Sequence, residues 1–393
     1  MNRPLQTDIK LTQPIFNVYP ISCHLLKSIL TFTRDFIKGC DTAHQNPIVN
    51  LLYGKDEGNY LAEYERYCAS PNSRCVHVAD MEQVYRLFAA SNPRYIIIHG
   101  QFLGSGFWRR MLLKPQIWRR VILIYWGSDL EALTSTVGFQ RRSRGIYRYI
   151  LYILKGYMLR HFGLIGVLMP QEVVVLKKCF PELNNVFRMA YPWEDSMPGR
   201  YGEEAGQSLA PGGHYTVVCG NSGYPNNNHI ELIDFAKKID NGATEWVFPL
   251  TYGRREHITL TCGYGTCILG KAFVPLRENM PYSEYVKMFA GIHALVFNHT
   301  FETRSQQGLG NLCIAMSFGK KIYIRSDNAL YKQLRDWGAS INDTFEIVQG
   351  QSASFYSPMA EPDAERNRSV LRNHFSKEAA LKLWKAAFEA RRM

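Results

Sequence analysis

Four residues, Gly220-Asn221-Ser222-Gly223, stand directly after the apolar run Tyr215–Cys219 and just before Asn226-Asn227-Asn228. A strand that empties through glycines into a helix start can aim backbone N–H groups at a phosphate, with Asn and Ser side chains adding further bonds. The same residue types also make an ordinary turn and helix cap, because Asn is a good N-cap. Neither Gly-x-Gly-x-x-Gly nor Gly-Lys-Ser/Thr occurs in this stretch, so it carries neither the dinucleotide fingerprint nor a P-loop. A second cluster, Arg304-Ser305-Gln306-Gln307-Gly308-Leu309-Gly310, precedes a short predicted helix over Asn311–Phe318 that stops at Gly319. A guanidinium beside a Gly-rich helix start suits a diphosphate through charge-assisted bonds. The plainer alternative is a packed corner between strands, with Gly308 and Gly310 serving only the turn. Tyr252, in Thr251-Tyr252-Gly253, either stacks on a base or sugar or fills a half-exposed packing position.

Moving a group onto a hydroxyl requires a base for the hydroxyl proton and donors for the departing diphosphate. Asp129, after Trp126-Gly127-Ser128, and His99, before Gly100, both close apolar runs and are the candidate catalytic groups. Asp129 would equally serve as the cap of a helix beginning at Leu130. His99 either takes the proton or binds acceptor. Asp56 and Glu57 lie on a polar turn and rank behind both.

The elements that must position these residues alternate. Strands are expected at "PIVNLLYG", "RCVHV", "RYIIIHG", "RRVILIYWG", "LIGVLMP" and "NVFRMAYP", with helices at "SCHLLKSILTFTRDFIKG", "DMEQVYRLFAAS" and the basic stretch 141–162. The pattern pauses over the Gly-, Pro- and charge-rich residues 196–213, which read as a linker. It then resumes with "YTVVCGNSG", "NNNHIELIDFAKKI", "TEWVFPLTYG", a less regular stretch containing "GTCILGKAFVPL", "PYSEYVKMFAGI" and "HALVFNH". Such alternation indicates parallel α/β sheets, whose sites gather at the carboxyl ends of the strands. The tail from residue 361 is expected to be a helix packing back across both domains.

The chain has 393 residues, 46% of them hydrophobic and 20% charged, which suits two globular domains and not a disordered chain. Nine scattered cysteines lack the rhythm of a metal site, so no metal and no cofactor is expected. Their odd number and the lack of a secretory leader point to a reducing cytoplasm. The formal charge of +12 is uneven: residues 101–160 carry 11 Lys/Arg against two Asp/Glu. That half should face something anionic. In 141–162, Arg141, Arg142, Arg144 and Arg148 alternate with Tyr, Ile, Leu and Met, a composition that anchors a helix in a headgroup layer. The alternative is an apolar face in the protein core with the arginines solvated. A nucleic-acid groove is supported by charge alone and is not expected.

Together these blocks resemble the bacterial 4-acetamido-4,6-dideoxy-D-galactose transferases, glycosyltransferase family 56, of enterobacterial common antigen synthesis. The resemblance is carried by Gly54-Lys55-Asp56-Glu57-Gly58, His99-Gly100-Gln101-Phe102, Trp126 to Leu130, Gly220 to Gly223, Asn227 to Ile230, and Arg304 with Gln306, Gln307, Gly308 and Gly310. It covers residues 50–350 in order. It implies a two-lobed GT-B-like fold, with two Rossmann-like domains facing across a cleft. It also implies a dTDP-linked deoxyamino sugar donor, a polyprenyl-diphosphate-linked saccharide acceptor and a peripheral place on the cytoplasmic face of the inner membrane. On that reading 1–195 is the acceptor and membrane-facing domain, 214–360 binds the sugar nucleotide and 361–393 is the tail helix. Asn221, Ser222, Gly223, His229, Tyr252, Arg304, Gln306, Gln307, Gly308 and Gly310 would bind donor. The amino terminus lacks the expected opening strand, and the stretch before Arg304, the inserted Ser305 and the longer tail also depart from the family pattern. A relative of the family's sugar or acceptor is therefore compatible. A sugar-nucleotide epimerase of the same two-lobed fold is the alternative.

Overall fold

Pro14 and Pro20 bracket Ile15–Pro20, a run in which every described side chain is buried. In the computed structural model it is strand β1, at the centre of a sheet. This corrects the expectation that the amino terminus lacks an opening strand: the polar Asn17 hides the apolar run. Asn17 is tolerated there because its amide donates to Asn50 Oδ1 at 3.1 Å, and Asn50 in turn donates to Ser73 Oγ at 3.2 Å. A buried polar ladder thus crosses three strands with each link hydrogen-bonded.

The structure describes residues 13–20, 26–40, 46–54, 64, 73–78, 80–100, 105–127, 129–130, 146–193, 214–278, 280–299, 307–346 and 352–392. The chain divides into two units: Met1–Pro192 with Ala380–Met393, and Trp193–Ala379. The linker expected at 196–213 lies outside the described residues. So do the Asp56-Glu57 turn, Arg141, Arg142, Arg144, Arg304 and Gln306.

In the first unit, β1, β2 (Ile48–Tyr53), β3 (Ser73–Val78), β4 (Tyr95–His99), β5 (Val121–Tyr125), β6 (Leu164–Val167) and β7 (Val186–Arg188) pair in parallel, in the order β3-β2-β1-β4-β5-β6-β7. Its helices are α1 (Leu26–Cys40), α2 (Met81–Ala90), α3 (Ser105–Leu112), α4 (Pro115–Trp118), α5 (Ile146–His161) and α6 (Pro170–Cys179). Asp80 caps α2 by accepting from the Gln83 amide at 2.8 Å.

In the second unit, β8 (Tyr215–Cys219), β9 (Thr244–Pro249), β10 (Phe273–Leu276), β11 (Ala294–Phe297), β12 (Lys321–Ile324) and β13 (Asn342–Asp343) form a parallel sheet in the order β10-β9-β8-β11-β12-β13. Its helices are α7 (His229–Ile239), α8 (Arg255–Leu269), α9 (Tyr282–Gly291), α10 (Leu309–Ser317), α11 (Ala329–Asp336), α12 (Ser352–Tyr356) and α13 (Glu361–Phe375). The stretch expected to be irregular is mostly α8. Its glycines misled, and one has a packing reason: a Cβ on Gly265 would sit 2.3 Å from the Phe273 ring.

The tail is two helices, not one. After α13, the Ser376 hydroxyl accepts from the Ala379 amide at 3.1 Å and starts α14 (Lys377–Arg392). From Ala380 onward α14 belongs to the first unit, where Trp384 and Phe388 pack edge-on against Phe36 of α1. The Trp384 indole donates to the Ala190 carbonyl at 2.8 Å.

Candidate active site

Each sheet reverses direction of growth once, between β1 and β4 in the first unit and between β8 and β11 in the second. Crevices at such switch points are where α/β sheets bind ligands. In the second unit, Gly220 to Gly223 leave β8 and Asn298-His299 leave β11, side by side.

Asn227 organises this edge. It is fully buried; its Oδ1 accepts from the Asn221 amide at 2.9 Å and from His299 Nε2 at 2.8 Å. Its amide donates to Ser222 Oγ at 3.1 Å and to the Tyr224 carbonyl at 3.3 Å. His299 Nε2 also reaches Asn221 Oδ1, at 3.0 Å, so this nitrogen carries the proton. Asn226 donates to Gln307 Oε1, and Gln307 donates to Asn221 Oδ1 at 3.3 Å. Asn228 donates to the Asn298 carbonyl at 2.7 Å, and Asn328 to the His299 carbonyl at 2.7 Å. The Gly-Asn-Ser-Gly turn, the three asparagines and Gln307 are therefore one hydrogen-bonded cluster. Asn298, His299 and Asn328 were not among the sequence candidates. The signal for the first two was available: they are polar residues standing immediately after a fully apolar strand.

The same accounting corrects the phosphate cradle expected at this turn. The Gly220 amide donates to the Val296 carbonyl at 2.8 Å, that of Asn221 to Asn227, and that of Gly223 to the Tyr252 carbonyl at 2.7 Å. Three of the four donors are used internally. The glycines answer to geometry instead: Gly220 has φ +77°, and a Cβ there would meet Asn227 Oδ1 at 2.9 Å. Gly253, at φ +147°, lies so close to Gly223 that a Cβ would sit 2.3 Å from its backbone. This contact brings Tyr224 and Tyr252 together, rings 6.2 Å apart and edge to face, both about half exposed. The Tyr252 hydroxyl is raised above its ordinary pKa, chiefly by burial of that end of the side chain.

His229 does not reach solvent. It opens α7 fully buried, with Nδ1 3.0 Å from His257 Nε2 and with no partner for Nε2 among the described residues. Burial, reinforced by His257, lowers it to about 3, so it stays neutral. A direct donor contact by this ring is replaced by a core position beneath the turn.

Gly308 precedes α10 at φ +74°, packed so closely on Phe297 that a Cβ would meet the ring at 2.6 Å. It supplies no side-chain cap, and the helix's first residue, Leu309, comes two positions after Gln307. Helix starts leave N–H groups without intrahelical partners, so this is the anion-suited element at the edge. Gly310 lies in that turn, and a Cβ there would touch Trp193 at 3.2 Å.

In the first unit, His99 ends β4 fully buried. It stacks on Tyr19 at 4.2 Å, and its Nδ1 lies 2.5 Å from the Tyr191 hydroxyl. Burial lowers it to about 3. That environment makes it a structural group at the strand end, not an exposed base. Asp129 follows β5, and its Oδ1 accepts from the amides of Trp126 at 2.7 Å and Leu130 at 2.9 Å. It therefore fastens its own turn as a cap does. Its charge also opposes the burial that lowers Lys155 of α5 to about 8. Arg148 lies in the first turn of α5. Among the described residues no group of three or more His, Cys, Asp or Glu is placed to hold a metal.

Two parallel α/β units, each with a switch point, define a GT-B-like glycosyltransferase fold. Solved structures with this fold include a glycosyltransferase from Rickettsia africae (TM-score 0.67, 9% identity, covering 96% of this chain and 98% of that one). A sucrose-phosphate synthase from Thermosynechococcus elongatus is also similar (TM-score 0.64, 12% identity, 96% and 100%). So is the N-terminal domain of Candida albicans trehalose-6-phosphate phosphatase (TM-score 0.63, 9% identity, 98% and 98%). At such identities the likeness concerns fold alone. Residues 78–346 match the family described as 4-alpha-L-fucosyltransferase, glycosyl transferase group 56, and the chain belongs to that family. It is an enzyme, a glycosyltransferase acting on a dTDP-linked deoxyamino sugar, with a glycan or lipid acceptor.

Proposed function

We propose that this transferase moves 4-acetamido-4,6-dideoxy-D-galactose, or a close relative, from dTDP to a polyprenyl-diphosphate-linked oligosaccharide during surface polysaccharide synthesis. The observation that carries the donor half is the start of α10, where Gly308 brings no side-chain cap and no described side chain supplies one, tied through Gln307 to Asn221 at the switch point. The donor diphosphate lies against the opening turn of α10, with Arg304 and Gln306 completing its contacts. Tyr252 and Tyr224 take the base or sugar. The acceptor oxygen bonds to the anomeric carbon, the bond from that carbon to the diphosphate oxygen breaks, and its electron pair leaves with dTDP. Asp129 takes the acceptor proton.

A polyprenyl chain stays in the bilayer, so the enzyme works as a peripheral protein on the cytoplasmic face of the inner membrane. Arg141, Arg142, Arg144 and Arg148 draw it to anionic headgroups, each contributing about 1 kcal/mol near the surface. The test presents membrane extracts bearing lipid-linked oligosaccharides with a panel of dTDP- and UDP-sugars. Label from a dTDP-deoxyamino sugar should enter the lipid fraction. Label confined to free, water-soluble sugar would refute the acceptor.

A further inference from the structure

Helix α5 is apolar on two sides. Met158 and Leu159 are buried in the first unit's core, which accounts for one side. Ile150, Ile153, Leu154 and Tyr157 are 47%, 49%, 39% and 51% exposed. At 100° per residue these four fall within roughly 100° of the helix surface, turned away from the core. Soluble helices place polar residues there. Leu113, between α3 and α4, is 77% exposed. Both of those helices pack on α5, and the Trp118 ring of α4 meets Tyr157 edge-on at 5.9 Å. Positive charge stands on the two helices packed against α5 and on their flanks: Arg109 and Arg119 are exposed, and Lys114 is partly so.

We infer that this stripe is the membrane-insertion face of the enzyme, lying in the plane of an anionic bilayer surface. Arg109, Lys114 and Arg119 reach the headgroups while Ile150, Ile153, Leu154 and Tyr157 enter the boundary with the acyl chains. Charge complementarity selects this occupant, because a stripe whose neighbouring elements carry exposed cations repels an identical surface on a second copy. The length of α5 agrees. Its 16 residues span about 24 Å at about 1.5 Å each, less than the roughly 30 Å hydrocarbon core, so it lies on the surface and does not cross. An exposed apolar face with basic flanks is the pattern of interfacial helices. The inference rests on the peripheral-membrane reading above and differs from it in mechanism, since apolar insertion, unlike headgroup attraction, resists salt.

The experiment uses the full chain and sedimented vesicles of phosphatidylcholine, with and without about a third phosphatidylglycerol, which supplies the anionic surface that attracts basic side chains. The parent should bind the anionic vesicles and keep a bound fraction at high salt. Ile150→Ser, Ile153→Ser and Leu154→Ser combined should lower partitioning on the order of 100-fold, from the lost transfer of three half-exposed aliphatic side chains, and abolish the salt-resistant fraction. Circular dichroism melts should match the parent, and label transfer to a water-soluble acceptor analogue should persist. A triple variant that binds as the parent does would overturn the insertion face alone. A parent that ignores both vesicle types would overturn the peripheral reading too. A lipid-free dimer that the same substitutions dissolve would overturn it in favour of self-association.

Discussion

Asn227→Ala should collapse the donor-side turn without unfolding the unit. The wild-type side chain satisfies the Asn221 amide at 2.9 Å and Ser222 Oγ at 3.1 Å, and shares the His299 Nε2 proton. His299 keeps Asn221 Oδ1 at 3.0 Å, so two groups lose their principal partner. Each buried orphan costs about 1–3 kcal/mol, for a total of roughly 2–6 kcal/mol. The lower part of that range applies because the turn can open and expose the Asn221 amide to water. Opening the turn also displaces Asn221 from Gln307 and loosens the start of α10, so donor affinity should fall with stability. Urea denaturation followed through Trp246, buried in the same unit, reads the first effect, and titration calorimetry with the dTDP-sugar reads the second. Asn373→Ala, on an exposed face of α13, is the control, expected within about 0.5 kcal/mol. If Asn227→Ala also stays within that margin and binds donor as the parent does, the amide cluster does not hold the site.

Gly253→Ala forces a Cβ to within 2.3 Å of the Gly223 backbone at φ +147°, and should separate Tyr224 from Tyr252; a donor affinity unchanged in calorimetry would discount the paired tyrosines. Asp129→Asn retains an oxygen for the Trp126 and Leu130 amides while losing the charge, so turnover should fall at least about 100-fold with donor affinity kept. Near-parental turnover would leave Asp129 as a cap only. Arg304→Ala should weaken donor binding at least about tenfold, the loss of one charge-assisted contact, and equal affinity would remove it from the site. His99 and His229 are held neutral to about 3, below the unfolded value near 6.5. The unfolded chain therefore binds more protons between those values, and each ring should cost about 1.4 kcal/mol per pH unit as pH falls through that window. Urea midpoints that stay flat from pH 7 to pH 5 would contradict this.

Why some of this was legible in the chain and some was not has a physical pattern. Strands such as Tyr95–His99 and Val121–Tyr125 are buried on both faces, so they read as unbroken apolar runs. β1 escaped because Asn17 interrupts it, and only the partner strand's Asn50, 33 residues away, makes that interruption tolerable. Helix α8 escaped for the converse reason: Gly265 weakens the local signal, and the Phe273 ring that requires it lies on the next strand. Local propensity is outweighed in both cases by a contact that is distant in sequence.

The candidate site shows the same limit more sharply. Asn221, Asn227 and Gln307 do meet at one edge, as strand-end residues of a parallel sheet should. What one sequence could not disclose was which donors remain after the residues meet. A Gly-Asn-Ser-Gly turn looks like an anion nest as long as its amides are counted as free. Once Val296, Asn227 and Tyr252 have each taken one, the turn becomes a scaffold. Its asparagines then work by holding Gln307, and through it the entrance to α10, where Gly308 offers no cap of its own. Binding capacity has moved from the residues that were conspicuous to the helix start they position. Substitutions in the turn should therefore act on donor affinity indirectly, through the position of α10, and should be suppressed by changes that restore the Asn221–Gln307 contact.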